Sequence, residues 1–484
     1  LLKVVVFTVV FRLVNCVLVQ TSFVPDEYWQ SLEVAHRMVF KYPYGYLTWE
    51  WKAGIRGFTF PLFFAFLYKI LHLLNYDTVH LLPRVAQALL AAFADVKFYL
   101  LIRTLETEDV SRWTFFCHLC SWFSWFCCTR TLTNTAETTL TCLALFYFPL
   151  PGSKTYSKKY LSLVALAVLV RPTALIVWFP LLMCHFWQEE NKLRLITRRY
   201  IPIILAVLIS ALIDCLFYEK WTLVQLNFIK FNILHGVADF YGSHPWHWYF
   251  SQGFAVVIGP HLPFFLHGCS LAFRKYRILL ATVLWTIVVY FLPHKEFRFI
   301  YPVLPFCMIF CISLAHLKAW RRPAAALLLV SNLVLALYTG LIHQRGTLDV
   351  MSHLQRLCEV SSDSARPQSD VFFLMPCHST PFYRYTHTHV HCPLKMRILE
   401  CPPDLGEDGY AEEAAQFYSN PLLWLRNAFP YKSSLPTHLV LFDVLEKEIS
   451  TFLQVNNFTR TAEIFHTHVP EGRVGGSIFI YERH

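Results

Sequence analysis

The stretch VVVFTVVFRLVNCVLVQTSFVPDEYWQ, residues 4–30, decides how the rest of the chain is interpreted. Its first part, residues 4–19, is an apolar run typical of a helix that spans a membrane. Asp26 and Glu27 follow where the chain would leave the bilayer. Acidic residues at a membrane face indicate a functional site, and the alternative is two solvated acids that cap the next helix. We take this pair as the candidate catalytic residues.

The composition is that of a polytopic membrane protein. Of the 484 residues, 55% are hydrophobic and 15% are charged, whereas a soluble domain has about 25% charged residues. The net charge of +10 is expected to come from cytosolic loops, since no nucleic-acid-binding motif is visible. The first apolar run lacks a small-residue cleavage site and is expected to be a signal anchor.

Several apolar runs are long enough to cross a bilayer. They are about 1–19, 82–103, 113–129, 136–150, 200–217, 254–271, 278–293, 299–317 and 324–342. The run 158–186 is too long for one span, and the tripeptide Arg171-Pro172-Thr173 interrupts it. Because proline favours a helix break, this run is predicted to form two short spans with a polar tip.

Basic loops set the predicted topology. Residues 153–159, 191–199, 274–277 and 318–322 are rich in Lys or Arg, which places them in the cytosol and predicts about 11 transmembrane helices. The run 58–74 would break this parity, so we expect it to be a re-entrant or interfacial helix of the first luminal loop, 20–81. Most polar segments then collect on the luminal side, and this clustering indicates an enzyme site there.

The composition changes near residue 344, so we predict a transmembrane catalytic domain, 1–343, and a small C-terminal α/β luminal domain, 344–484. Strand-like runs occur at 371–375, 438–442 and 477–481. Asn457 begins an N-glycosylation sequon, Asn-Phe-Thr. Cysteines 358, 377, 392 and 401 are candidates for pairing in an oxidising lumen, and the sequence does not choose between the possible pairings.

The polar segments suggest two separate roles, a general base and a phosphate-binding site. Asp26 or Glu27 could accept a proton from a hydroxyl. His294, Lys295 and Arg298 of the motif HKEFRF suit a phosphate, and an arginine can bind one through two parallel hydrogen bonds. The alternative for the second group is a belt of side chains reaching the membrane interface.

Two further segments supply candidate substrate-binding residues, with a polar turn and an interfacial aromatic belt as the alternatives. The candidates are Arg130, Asn134, Glu137, Arg171, His244, Trp246 and His247. A base, a cationic phosphate site and aromatic platforms together predict sugar transfer from a lipid phosphate to a hydroxyl. A phosphate leaving group needs charge stabilisation and no general acid.

Five segments carry a family resemblance: 21–30, 46–51, 128–134, 241–251 and 294–302. They resemble the GPI-anchor branch of the dolichyl-phosphate-mannose mannosyltransferases, which belong to the GT-C membrane class. The motifs MPCHSTP, 375–381, and CPPDL, 401–405, narrow the resemblance to the enzymes that add the third mannose. One departure is Leu-Pro at 292–293, where the family pattern has a Leu-Ser type of lead-in, and it leaves the charged residues of the motif intact.

The resemblance implies a donor, dolichyl phosphate mannose, and an acceptor, a GPI lipid precursor that carries two mannoses. It implies an α-1,2 linkage made at the luminal face of the endoplasmic reticulum membrane, with neither a cofactor nor a metal. The donor linkage is β and the product is α, and a single displacement with one carboxylate base gives this inversion. The family's catalytic acidic residue matches the Asp26-Glu27 pair, of which we predict Asp26 to be the base and Glu27 to orient it or a sugar hydroxyl.

Three alternatives stay open. A related α-1,2-mannosyltransferase of N-glycan precursor assembly would share most motifs. A lipid or sugar transporter would have polar residues at mid-membrane and an internal repeat, and neither is visible. A non-catalytic assembly subunit would tolerate the loss of both acids. The sequence does not predict protein partners or the oligomeric state.

Overall fold

The computed structural model describes residues 1–40, 47–74, 81–151, 157–234, 244–291, 294–361, 369–382, 394–403 and 412–484. Within these residues the chain forms two compact units. The first comprises Leu1–Val19, Gly54–Phe63 and Leu81–Leu337, and the second comprises Gln20–Ala53, Phe64–His80 and Tyr338–His484.

The first unit is helical, as its apolar runs predict. Its α-helices are Leu2–Leu18, Leu82–Leu105, Glu108–Cys120, Trp122–Cys127, Thr133–Tyr147, Ser157–Val170, Ala174–Gln188, Lys192–Leu195, Ile201–Tyr218, Val224–Ile229, Phe254–Ile258, Leu262–Val289, Leu304–Phe310, Ser313–His316 and Arg321–Leu341. Short segments of 3₁₀-helix or π-helix adjoin several of them, at Ile196–Tyr200, Lys230–Leu234, Tyr249–Gly253, Gly259–His261, Phe297–Val303 and Lys318–Trp320.

The helix break predicted at Arg171-Pro172-Thr173 is observed: one helix ends at Val170 and the next begins at Ala174. The predicted break in the run 158–186 is therefore confirmed. Arg171 lies at the tip between the two helices.

The basic segment predicted as a loop at 274–277 lies at a break between two helices, and its cytosolic placement stays a prediction. One element, Leu262–Val289, continues through it, with non-helical backbone angles at Ala272 and Tyr276, so two helices meet at a kink. Lys275 Nζ lies 2.7 Å from Glu106 Oε1, and the Tyr276 hydroxyl donates to the same oxygen at 2.5 Å. These bonds tie the basic segment to the end of helix Leu82–Leu105.

Four helical stretches of the described chain are long and apolar enough to cross a membrane: Leu82–Leu105, Tyr249–Val289, Phe297–His316 and Lys318–Arg356. Shorter apolar helices include Thr59–Leu73, Ala174–Gln188 and Ile203–Tyr218. The predicted total of about 11 spans stays a prediction, as does the interfacial placement of 58–74. At 15 residues, helix Thr59–Leu73 is about 22 Å long, shorter than a hydrocarbon core of about 30 Å.

The second unit contains a five-stranded sheet. Its strands are β1, Asp370–Leu374; β2, Lys395–Ile398; β3, His438–Phe442; β4, Phe458–Phe465; and β5, Ser477–Arg483. The strand order is β2-β1-β3-β5-β4, with β1 parallel to β2 and β3, and β5 antiparallel to β3 and β4. The three predicted strands are confirmed, and the short β2 and the largely exposed β4 lacked a strand-like apolar run.

Apolar side chains from the strands and from the helix Asp443–Val455 form the core of this unit. Leu374, Leu439, Leu441 and Ile449 are fully buried members of it. The other α-helices with residues in this unit are Glu33–Phe40, Trp49–Lys52, Thr59–Leu73, Gly346–Ser361, Glu413–Ser419 and Pro421–Ala428. The α/β character predicted for the C-terminal region is thus observed.

The sheet also explains one cysteine pairing. Strands β1 and β2 are parallel neighbours with Phe373 opposite Ile398, so the segments that follow them leave the same edge of the sheet. Cys377 and Cys401 lie in these segments and form a disulfide, with Cα atoms 6.2 Å apart. Cys392 and the side chain of Cys358 lie outside the described residues.

Candidate functional site

The acidic pair lies at the start of a helical segment. Pro25 precedes it, and helical structure runs from Asp26 through a π-helical turn, Tyr28–Leu32, into Glu33–Phe40. The positive end of a helix favours carboxylates, and π-helical turns are frequent at functional sites. Asp26 is half-buried, whereas Glu27 is completely buried.

Aromatic side chains of the second unit surround this helical segment. The indole nitrogen of Trp29 donates to the backbone oxygen of His378 at 2.9 Å, and the two rings lie 5.1 Å apart. The indole nitrogen of Trp51 donates to the backbone oxygen of Trp29 at 3.2 Å. On the next turn, the carboxylate of Glu33 accepts a hydrogen bond from the backbone nitrogen of Phe382. The segment with the acidic pair is therefore held by the loop after β1.

The motif at 294–299 forms a compact charged cluster in the first unit. Glu296 Oε1 accepts from Arg298 Nη2 at 2.7 Å, Glu296 Oε2 lies 2.6 Å from Arg298 Nε, and His294 Nε2 lies 3.2 Å from Glu296 Oε1. Burial raises the pKa of Glu296, but the charge of Arg298 and the hydrogen bonds from His294 and Arg298 outweigh it and lower the pKa to about 2. Glu296 is therefore ionised at neutral pH and orients the guanidinium of Arg298.

The same motif is anchored to the aromatic segment before helix Phe254–Ile258. Lys295 is buried, and its ammonium donates to the backbone oxygen of His244 at 3.1 Å. The hydroxyl of Tyr249 donates to the backbone oxygen of Glu296 at 2.9 Å. The structure therefore brings His244 beside the predicted phosphate-binding residues, while 241–243 and 292–293 lie outside the described residues.

Glu137 and Arg171 form a second charged pair of the first unit. Arg171 Nη1 donates to Glu137 Oε2 at 3.1 Å, and Glu137 is fully buried. The guanidinium carbon of Arg171 lies 5.0 Å from the centre of the Phe299 ring, next in sequence to Arg298. The helix break at 171–173 therefore brings Arg171 to the HKEFRF motif.

The other sequence candidates divide into buried and exposed positions. Asn134 donates through Nδ2 to the backbone oxygen of Arg298 at 3.1 Å, which ties helix Thr133–Tyr147 to the motif. Arg130 is fully buried, and its Nε donates to the backbone oxygen of Phe126 at 2.8 Å. Trp246 and His247 are exposed, as either a sugar platform or an interfacial belt requires.

One buried charged network, formed by Arg12, Asp95 and His118, was not predicted from the sequence. Arg12 Nε lies 2.6 Å from Asp95 Oδ2, and His118 Nε2 lies 2.8 Å from Asp95 Oδ1. The thiol of Cys128 lies 3.2 Å from Arg12 Nη1 and donates to the Asn15 side chain. The signal was present, because Arg12 and Asp95 each interrupt an apolar run and ionisable residues inside a membrane need a partner.

The described residues contain no group of three or more His, Cys, Asp or Glu side chains that could hold a metal ion, and metal independence stays a prediction. The sequon has exposed side chains at Asn457 and Thr459.

Comparison with known proteins supplies the family. A family model described as the Alg9-like mannosyltransferase family matches residues 3–387. The chain belongs to this family. It is therefore a mannosyltransferase, and the predicted enzyme class is confirmed. Proteins named GPI alpha-1,2-mannosyltransferase 3 are similar over nearly the whole chain: the one from Danio rerio is 65% identical over 100% of this chain and 90% of its own length, and the one from Homo sapiens is 61% identical over 99% and 86%.

Solved structures show that this mannosyltransferase has the GT-C fold. ArnT from Cupriavidus metallidurans in the apo state superposes with a TM-score of 0.57 at 11% identity, covering 99% of this chain and 97% of that one. The oligosaccharyltransferase of Archaeoglobus fulgidus gives a TM-score of 0.52 at 13% identity, covering 96% of this chain and 73% of that one. The predicted GT-C class is confirmed.

Proposed function

We propose that this mannosyltransferase transfers the third mannose of the GPI anchor from dolichyl phosphate mannose, in α-1,2 linkage, to a GPI precursor that carries two mannoses. The observation that carries the proposal is identity of 65% and 61% over nearly the whole chain to proteins named GPI alpha-1,2-mannosyltransferase 3. Membership of a mannosyltransferase family favours an enzyme over the transporter alternative.

We propose that the reaction takes place at the luminal face of the endoplasmic reticulum membrane. The transmembrane catalytic domain would be 1–343, and the α/β sheet would belong to a luminal domain, 344–484. The exposed sequon at Asn457 and the disulfide Cys377–Cys401 support a lumen-facing C-terminal region, because both modifications belong to that compartment.

In the proposed mechanism Asp26 is the general base. A half-buried carboxylate at the start of a helix can meet an acceptor hydroxyl, whereas the completely buried Glu27 is better suited to orientation. Asp26 takes the proton of the acceptor hydroxyl as its oxygen attacks the anomeric carbon and the phosphate leaves from the opposite face. This single displacement converts the β-linked donor into the α-linked product.

The charged cluster of the first unit would bind the donor phosphate. Lys295 and Arg298 supply positive charge, and His294 is a third donor of hydrogen bonds. Because Glu296 accepts from Arg298 at 2.7 Å, the guanidinium is held in one orientation before the lipid arrives. Stabilising the charge of the leaving phosphate in this way replaces a general acid. A fold relative, ArnT, has been solved bound to undecaprenyl phosphate, which supports a lipid phosphate as the ligand class.

A lipid-precursor profile of cells that lack this protein tests the reaction. We expect a GPI intermediate with two mannoses to accumulate, and re-expression of the chain should remove it. Accumulation of a truncated N-glycan precursor instead would assign the enzyme to the related branch of N-glycan assembly.

Substitution of the two acids tests the mechanism. Asp26→Asn should reduce turnover by about 10²–10⁴-fold with normal expression, which is the usual contribution of a general base. If Asp26→Asn keeps the wild-type rate and Glu27→Gln is inactive, the two roles are reversed. If both variants are active, the base lies elsewhere.

A further inference from the structure

A cavity opens at the kink of the helix Leu262–Val289. Its volume is about 610 Å³, within the range of about 300–1,000 Å³ that is usual for ligand sites. Residues 270–275, which include part of the kink, line it together with Glu106 and His316. These residues all belong to the first unit, so the cavity is a feature of the helical part of the chain.

The lining of the cavity carries a net positive charge. Lys275 Nζ donates to Glu106 Oε1 at 2.7 Å, so the charges of these two lining residues compensate each other. Arg274 is exposed, and within the described residues its guanidinium makes neither a hydrogen bond nor an ion pair. A guanidinium in this state suits a phosphate, to which it can donate two parallel hydrogen bonds.

Apolar side chains beside Arg274 are suited to hydrocarbon chains. Leu271 and Phe273 line the same cavity, and they are 48% and 56% exposed. Exposed apolar side chains next to a basic one match an amphiphile, whose phosphate lies at the arginine and whose chains lie along the apolar residues. A free phosphate would use the arginine alone, so the lining favours a lipid.

The cavity lies far from the HKEFRF motif. From Tyr276 the helix continues to Val289, and the two ends of an α-helix of this length are about 20 Å apart. Tyr290, the next residue, stacks on Phe299 of the motif with ring centres 5.6 Å apart. The cavity is therefore at the other end of this helix from the proposed donor-phosphate residues. The segment 274–277 is predicted to be cytosolic, on the side where anionic lipids concentrate.

We propose that this cavity binds the phosphate head group of an anionic membrane lipid, and that Arg274 is the residue that holds the phosphate. Two phosphate oxygens accept hydrogen bonds from the guanidinium, and the acyl chains lie against Leu271 and Phe273. Basic pockets between membrane helices are a recurring type of site for such head groups. The site is separate from the proposed reaction and does not depend on it.

The test is native mass spectrometry of the purified full chain in detergent, with phosphatidic acid as the probe and phosphatidylcholine of the same acyl chains as the comparison. The wild type should bind phosphatidic acid more tightly, because choline compensates the charge of the phosphate. Arg274→Gln should raise the Kd for phosphatidic acid by about 10-fold or more, since a hydrogen bond between charged groups is lost. Arg274→Lys keeps the charge without the fork and should recover part of the affinity.

A matched control is Arg277→Gln. Arg277 is exposed and lies on the same helix, three residues after Arg274, but it is outside the cavity lining. At physiological ionic strength, where the Debye length is about 8 Å, this variant should keep the Kd within about 2-fold of the wild-type value. The comparison separates contact with the phosphate from general attraction between a basic surface and an anionic lipid.

Inorganic phosphate separates a lipid from a free anion as the occupant. It lacks acyl chains and should displace phosphatidic acid only at much higher concentration. Phe273→Ala should weaken binding of phosphatidic acid as well, because it removes apolar surface that the chains cover. Inorganic phosphate that competes as well as the lipid itself would assign the cavity to a free anion and overturn the lipid as its ligand.

Two further results would contradict the proposal. One is an unchanged Kd for phosphatidic acid in Arg274→Gln, and the other is an equal loss of affinity in Arg274→Gln and Arg277→Gln. Thermal melts of each variant show that the fold is kept, which we expect because the Arg274 side chain is exposed.

Discussion

Arg298→Lys tests whether the guanidinium fork of the HKEFRF cluster is needed to use the donor. Arg298 is 8% exposed, and two of its nitrogens face Glu296, at 2.7 Å from Nη2 and 2.6 Å from Nε. A lysine keeps the positive charge beside Glu296, so the fold should persist. A point charge cannot hold one carboxylate bidentately and still present N–H groups to a phosphate.

The size of the effect follows from the bonds that lysine cannot replace. A hydrogen bond to a charged group contributes about 1.5–3 kcal/mol. The loss of one such bond in the transition state corresponds to a fall in kcat/KM for the donor of about 10–150-fold, since about 1.36 kcal/mol is tenfold. Arg298→Ala would also leave the partly buried Glu296 without its guanidinium partner, so lysine is the more informative change.

The assay measures mannose transfer in membranes while the dolichyl phosphate mannose concentration is varied at saturating acceptor, with protein amount normalised by immunoblot. Arg277→Lys is the control, because Arg277 is exposed on the kinked helix and should tolerate lysine. Unchanged kcat and donor KM in Arg298→Lys, with the same values in Arg298→Ala, would refute a phosphate-binding role and leave Arg298 a structural partner of Glu296.

Three further outcomes are expected. Endoglycosidase should shift the electrophoretic mobility of the wild-type protein, and Asn457→Gln should abolish this shift. A tag at His484 that becomes accessible when only the plasma membrane is permeabilised would instead place the C-terminus in the cytosol. Asp95→Asn should lower the free energy of unfolding of the detergent-solubilised protein by about 3–5 kcal/mol, because it breaks a buried ion pair. Asp109→Asn is the control: its carboxylate is 62% exposed in the ion pair with Arg321, and its loss should cost under about 1 kcal/mol. Equal losses in the two variants would contradict a stabilising role of the buried ion pair. The lowered pKa of Glu296 contributes about 3 kcal/mol of stability, at about 1.36 kcal/mol per pKa unit, which should be present above the ordinary pKa of 4.5 and be lost as pH falls toward about 2. In thermal melts between these pH values, the stability of Glu296→Gln should not show this loss. If Glu296→Gln loses stability with pH as the wild type does, the loss comes from other acids.

Sequence patterns predicted the features that depend on local chemistry. Apolar runs predicted helices, and Pro172 predicted the break between Val170 and Ala174. Alternating or continuous apolar runs predicted β1, β3 and β5. Motifs that resemble a family predicted a mannosyltransferase, and family membership confirms that class.

Features that depend on a distant partner were missed. The three basic residues at 274–277 predicted an interruption between two helices, which the kink there confirms, but the bonds that Lys275 and Tyr276 donate to Glu106 could not be predicted. Strand β2 has only four residues and is a strand because β1 supplies its hydrogen bonds. No window of sequence contains either partner.

The residues 4–30 and the HKEFRF motif by themselves predicted a membrane enzyme, because hydropathy and charge are properties of side chains that need no fold to be seen, and the family and fold confirm that class. The carboxylate base and the cationic phosphate site stay predictions. Tertiary structure alone decided which charges meet. It paired Arg12 with Asp95 across 83 positions and Cys377 with Cys401, and it oriented Arg298 through Glu296. The physical reason is that the energy of an ion pair or a hydrogen bond depends on separations of a few ångströms, and only the packing of helices and strands sets those distances.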